Sequence, residues 1–146
     1  MATYECAIRT NYFRVTDEDA FRNLMSRVYG NTESVAVFEK TDASNVKRFG
    51  FGCYGGISGM KNSADEDDDE CDESSYEQFI DRLQALLPED EAVILQESGH
   101  EKLNYIIGGA TIITKDKIKA LDITFLAKQA AASILNIQNW TTQLQY

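Results

Sequence analysis

The chain opens on an alternating pattern. Tyr4, Cys6 and Ile8 alternate with Glu5, Ala7 and Arg9 inside a run, residues 3–15, rich in β-branched and aromatic side chains. That is the period of a half-buried strand. The period then changes. Phe21, Leu24, Met25 and Val28 recur at i, i+3, i+4 and i+7, which predicts an amphipathic helix. Thr16 reads as its N-cap, Asp19 as the return partner of a capping box, and Gly30 as its stop. Asp17, Glu18 and Asp19 suit the positive end of the helix dipole. Residues 35–39 and 47–54 read as two strands joined by a polar turn at 41–45, which predicts a hairpin.

A second helical stripe follows: Tyr76, Phe79, Ile80, Leu83, Leu86 and Leu87. Ser74 is its expected cap, Glu77 its capping-box partner, and Pro88, the only proline, its end. Residues 92–97 and 103–114 are the next strands, with Ser98-Gly99-His100-Glu101 at the turn. The continuous apolar cores Val93-Ile94-Leu95 and Tyr105-Ile106-Ile107 predict central sheet positions. A short edge strand is expected at 117–121. Asp122 should then cap a last helix with Leu126, Ala130, Ala131 and Ile134 facing inward. Trp140 and Tyr146 lie in a polar tail expected to fold back, since an indole gains by burial.

The resulting order is β-αββ-αββ-α. Helices of this kind must cover a sheet face, so the expected fold is α+β, a mostly antiparallel sheet covered by helices. The middle units align at an offset of 58: Phe21 with Phe79, Met25 with Leu83, Val35 with Val93, Gly50 with Gly108. This spacing is what an internal αββ repeat produces, although two capped helices followed by hairpins align in the same way. At 146 residues and 43% apolar composition, the chain suits one domain with one core, residues 1–146. No run of 18 apolar residues predicts a membrane span, and residues 1–10 do not read as a secretory leader.

Charge changes this picture. The net charge is −10, which argues against direct nucleic-acid binding by the molecule as a whole. Residues 65–97 hold 14 acids and one base, Arg82, or −13; the remainder holds 10 acids and 13 bases, or +3. The densest part is Asp65, Glu66, Asp67, Asp68, Asp69, Glu70, Cys71, Asp72 and Glu73. Such a block repels itself and stays solvated, so residues 60–74 are expected to form a flexible acidic loop. Glu77 and Asp81, i and i+4 on the second helix, would continue the band, and Glu89, Asp90 and Glu91 would extend it past the helix end.

The motifs for catalysis fail one by one. Gly50, Gly52 and Gly55 match G-x-G-x-x-G, but no helix can open after them, and eight nearby carboxylates would repel a phosphate. A strand with Phe49, Phe51 and Cys53 on one face is the better reading, the glycines leaving the other face bare for close approach. Asp65, Asp67 and Asp69 mimic the start of a calcium loop, yet Glu70 stands where glycine is needed and Tyr76 where a bidentate Glu is needed. Cys6, Cys53 and Cys71 lack C-x-x-C spacing, and acids around Cys71 blunt its reactivity. His100 reads as a turn residue. No catalytic residue, metal site or cofactor is assigned.

The opening Arg9-Thr10-Asn11-Tyr12-Phe13, the Phe49-Gly50-Phe51-Gly52 and Tyr54-Gly55-Gly56-Ile57-Ser58-Gly59 segments, and the acidic run together resemble small acidic accessory proteins of phages and conjugative elements. That group includes anti-restriction and anti-CRISPR inhibitors. Its members share no common motif, so no residue role is carried over. The resemblance implies a cytosolic protein of a bacterial host cell that binds a nuclease or effector complex and performs no chemistry. The residues support the same expectation: an extended acidic chain places charges every ~3.3 Å, close to the ~3.4 Å phosphate spacing of a nucleic-acid strand. The expected partner is therefore a basic protein surface, such as a CRISPR effector or restriction nuclease, with no membrane. The glycine segment would serve as a second contact element. Two alternatives compete: a small ligand-binding domain or enzyme with a pocket near residues 50–59, and a regulatory module that dimerises through an exposed strand edge.

Overall fold

A computed structural model describes residues 4–61 and 75–144. Its elements run β1 (Glu5–Thr10), α1 (Glu18–Arg27), β2 (Val28–Gly30), β3 (Ala36–Thr41), β4 (Lys47–Tyr54), β5 (Ile57–Met60), α2 (Ser75–Ala85), β6 (Ala92–Glu101), β7 (Tyr105–Thr114), β8 (Ile118–Asp122) and α3 (Ile123–Leu135). Six strands form one sheet in the order β3-β4-β1-β6-β7-β8, and β2 pairs with β5 in a small second sheet. Every one of these pairings is antiparallel, so the protein is α+β as expected.

The first strand takes the centre of the sheet, with one hairpin on each side. Ile8 lies opposite Cys53 of β4 and Glu97 of β6. The alternation read from the sequence decides which side is dry. Ile8, Phe49, Phe51, Cys53, Val93, Leu95 and Ile113 share one core with Phe21, Leu24 and Met25 of α1 and Phe79, Ile80 and Leu83 of α2. Phenylalanine rings hold the centre. Phe21 lies 4.8 Å from Phe49, and Phe51 lies 5.7 Å from Phe79. Phe13 stands edge-on to both Phe21 and Phe51. These contacts explain why both helical stripes were legible: each must bury aromatic surface against the same sheet face.

The glycines of β4 behave as the strand reading requires. A Cβ on Gly52 would sit 2.6 Å from the Ile8 carbonyl oxygen, so β1 packs where a side chain would be. On that far face the Arg9 guanidinium lies 4.5 Å from the Phe38 ring centre and also faces Tyr12.

Several local expectations are corrected. The N-cap of α1 is Asp17, whose carboxylate accepts from the Ala20 N–H at 3.0 Å. Thr16 instead donates its N–H and its hydroxyl to the Leu86 carbonyl, which ties the start of α1 to the end of α2. The helix stops at Arg27, before Gly30, because Val28–Gly30 is drawn out to pair with β5. The β6–β7 turn lies at Lys102-Leu103-Asn104, with Lys102 at φ 48°, and not at residues 98–101. His100 is therefore a strand residue, opposite Glu5 and Ile106, with Nε2 3.6 Å from the Glu5 carboxylate. Met60 is buried at the end of β5. The remainder of the expected acidic loop, residues 62–74, and the Ser74 cap lie outside the described residues.

At the C-terminal end, Asp122 caps α3 by accepting from the Thr124 N–H at 2.8 Å. Asn136 closes the helix in the left-handed conformation. Trp140 is half-buried, and Tyr146 lies outside the described residues. Of the four residues expected to face inward, Leu126, Ala130 and Ile134 are exposed and Ala131 is half-buried, and no residue of α3 is fully buried. The offset-58 correspondence does not extend to sheet position. β4, the second strand of its hairpin, lies beside β1, and so does β6, the first strand of the other.

Candidate functional site

Helix α2 buries Phe79, Ile80 and Leu83, and the same periodicity turns Glu77 and Asp81 outward. Both carboxylates are exposed, one turn apart. The other predicted partner-binding residues, Asp65, Glu66, Asp67, Asp68, Asp69, Glu70, Asp72 and Glu73, lie outside the described residues, as does Cys71.

In pairing, Glu77 and Asp81 differ from Glu18, Asp19, Glu39 and Asp42, and resemble Glu33 and Asp116, which also face no base among the described residues. Around α1 and the β3–β4 hairpin, acids and bases neutralise one another. Glu39 accepts from Lys47 at 3.0 Å and meets Arg22 at 3.5 Å, and Glu18 and Asp19 also face Arg22. The Lys47 ammonium and Arg22 hold the Glu39 carboxyl below the ordinary carboxylate range. Asp42 is lowered too, chiefly by the Val46 N–H and then by Ser44 and Arg48, against a smaller effect of burial. Among the described residues, Glu77 and Asp81 have no ion pair.

The expected extension of the band past α2 turns the other way. Asp90 bonds Arg14 at 2.9 Å, and Glu91 bonds the same guanidinium at 3.2 Å and faces Arg48 at 3.5 Å. Burial would raise the Glu91 carboxyl, but the N–H groups of Arg14 and Ala92 and the Arg14 side chain outweigh it and hold it low. These two acids fasten residues 14 and 48 to the loop before β6. They are structural, and sequence position alone could not tell them from Glu77 and Asp81.

The glycine segment is fastened to its neighbours by hydrogen bonds and by strand β5. Gly55 and Gly56 take φ of 87° and 82°, values open to glycine. The Gly55 N–H donates to Cys6, and Asn31 donates to the carbonyls of both glycines. No helix opens there, so the phosphate-cradle geometry is absent. Beside this turn lies a cleft of about 610 Å³, walled by Tyr4, Cys6, Ile57, Tyr76 and Glu97. The Tyr4 hydroxyl donates to Glu97 at 3.0 Å. Burial and the Glu97 charge both push the Cys6 thiol up, and burial does the same to Cys53. Both therefore stay protonated near neutrality and are poor nucleophiles. The sequence placed a pocket near this segment; it did not single out Tyr4, Tyr76 or Glu97, whose convergence depends on β1, α2 and β6 meeting.

Among the described residues, no group of three or more His, Cys, Asp and Glu stands together to hold a metal ion, and no helix is long and apolar enough to cross a membrane. Comparison with protein-family models, curated proteins and solved structures found no match.

Proposed function

We propose that this protein is a non-enzymatic binding protein, an anti-defence inhibitor that offers an acidic surface to the nucleic-acid channel of a host effector or restriction nuclease. The surface comprises Glu77 and Asp81 on α2 and the acid-dense sequence from Asp65 to Glu73. One contrast supports the reading: bases offset Glu18, Asp19, Glu39 and Asp42 around α1, β3 and β4, while the outward acids of α2 stand without one among the described residues. Unpaired carboxylates keep their full field for a basic partner, which speeds and orients encounter.

The test is capture from bacterial lysate on tagged full-length protein, at low and high salt, followed by mass spectrometry. The expected result is one basic nuclease or effector, released by salt and lost with Asp67→Asn/Asp68→Asn/Asp69→Asn and with Glu77→Lys/Asp81→Lys. If the triple Asn variant bound and inhibited that target as well as wild type, the mimicry reading would be wrong. A ligand-binding reading has the cleft beside Gly55 in its favour. Empty capture, together with a small molecule that raises the thermal midpoint of wild type but not of Glu97→Gln, would replace the first reading by the second.

A further inference from the structure

Helix α3 leaves its apolar stripe uncovered. Its half-buried positions include Thr124, Lys128 and Ala131, while Ile123, Leu126, Ala127, Ala130 and Ile134 form a continuous i, i+3, i+4 stripe on the exposed side. Exposure along that stripe is 58% at Ile123, 44% at Leu126 and 85% at Ile134. The stripe continues onto the sheet. Ile123 and Ala127 share one groove with Leu103 and Ile106, and Ile123 and Leu126 share another with Ala110 and Leu121. Leu103 and Ile106 are themselves 85% and 68% exposed.

We propose that two copies of this chain associate through α3, the stripe of one helix laid antiparallel against the stripe of the other across a two-fold axis. Three observations select a second copy over a different partner. First, the stripe is self-complementary: large apolar residues flank small Ala127 and Ala130, which lets two helix axes approach to ~8–10 Å. Second, Lys128 is the only charged residue of α3 and sits on the opposite side, so the stripe offers nothing for a charged partner to read. Two chains of net charge −10 can meet there without opposing carboxylates. Third, the area is adequate. Taking Ile and Leu at the lower end of the ~150–250 Å² that an aromatic side chain buries, Ile123, Leu126, Ile134, Leu103 and Ile106 expose on the order of 500 Å². That is toward the upper end of what a monomer leaves in one patch and more than half of the ~800 Å² each partner buries in a standard interface.

The exposed strand edge is a poorer route. The six-stranded sheet ends in β3 and β8, which carry Glu39 and Lys40 and Lys119 and Asp122, charges that guard an edge against pairing.

The test is size-exclusion chromatography with light scattering on the full chain. Wild type is expected at twice the 16.4 kDa chain mass. Ile134→Glu and Leu126→Glu are expected at the single-chain mass with an unchanged circular dichroism spectrum, because neither side chain is buried in the chain itself. Glu77→Lys/Asp81→Lys should remain dimeric, which separates this proposal from the partner reading. A wild type of single-chain mass, or a dimer that survives both α3 variants, would overturn it.

Discussion

Among single residues, Glu91 shows how position in the fold decides what an acid does. It belongs by sequence to the acidic stretch, yet it accepts from two backbone N–H groups and lies against Arg14 and Arg48. Its carboxyl is held low in the folded chain and returns to its ordinary value, ~4.3, on unfolding. The sign follows from linkage: the stability it contributes is present above that pH and is lost as pH falls through the folded value. Glu91→Gln is expected to cost ~1–3 kcal/mol near neutral pH, the scale of a lost hydrogen-bonded charge. The gap from wild type should narrow below pH ~4.3. Urea denaturation across that range measures it, and a gap independent of pH would contradict the assignment. Gly52 gives the complementary lesson. Its place in a strand was legible from Phe49, Phe51 and Cys53 around it, but the Ile8 carbonyl that forbids a side chain there comes from another strand.

Among the elements, α1 was legible as a helix and misread at its cap. Thr16 and Asp17 are both good caps, and Thr16 comes first. The choice falls to Asp17 because the Leu86 carbonyl at the end of α2 takes the Thr16 N–H and hydroxyl. Asp17→Ala is accordingly expected to cost ~1 kcal/mol, and Asp19→Ala, at an exposed position, less than ~0.5 kcal/mol. Equal effects in thermal or urea unfolding would restore the capping box at Thr16. Helix α3 was misread more deeply. Leu126, Ala130 and Ile134 of the expected face do share one stripe, with Ile123 and Ala127, while Ala131 lies on the half-buried side; periodicity reports only that one side of a helix is apolar and is silent on whether the cover comes from the same chain. The β6–β7 turn was misplaced for a different reason. Gly99 looks like turn punctuation, whereas it sits in a strand where a Cβ would meet the Tyr4 hydroxyl and the Glu5 carbonyl.

For the whole molecule, charge and stability are divided between regions. Aromatic rings between one sheet face and two helices hold the fold together, and the ion-pair network around Arg22 and Lys47 lies on the α1 side. The outward side of α2 takes part in neither. Glu77→Lys/Asp81→Lys moves the net charge from −10 to −6, since each reversal adds two, yet is expected to change unfolding stability by no more than ~0.5 kcal/mol. A large loss of stability would mean that these acids serve the fold and not a partner.

The sequence by itself determined the class of fold, the helical stripes, the β3–β4 hairpin, the Asp122 cap and the uneven distribution of acid. All of these are local: they rest on period, on cap chemistry or on a count along the chain. Tertiary structure alone decided that β1 lies at the centre of the sheet, that Asp17 and not Thr16 caps α1, and that β2 and β5 pair. It alone separated the acids of α2 from Asp90 and Glu91, and turned the apolar stripe of α3 outward. Each of those outcomes depends on which distant group supplies a carbonyl, a guanidinium or a covering surface, and a one-dimensional pattern carries no record of distance between its parts.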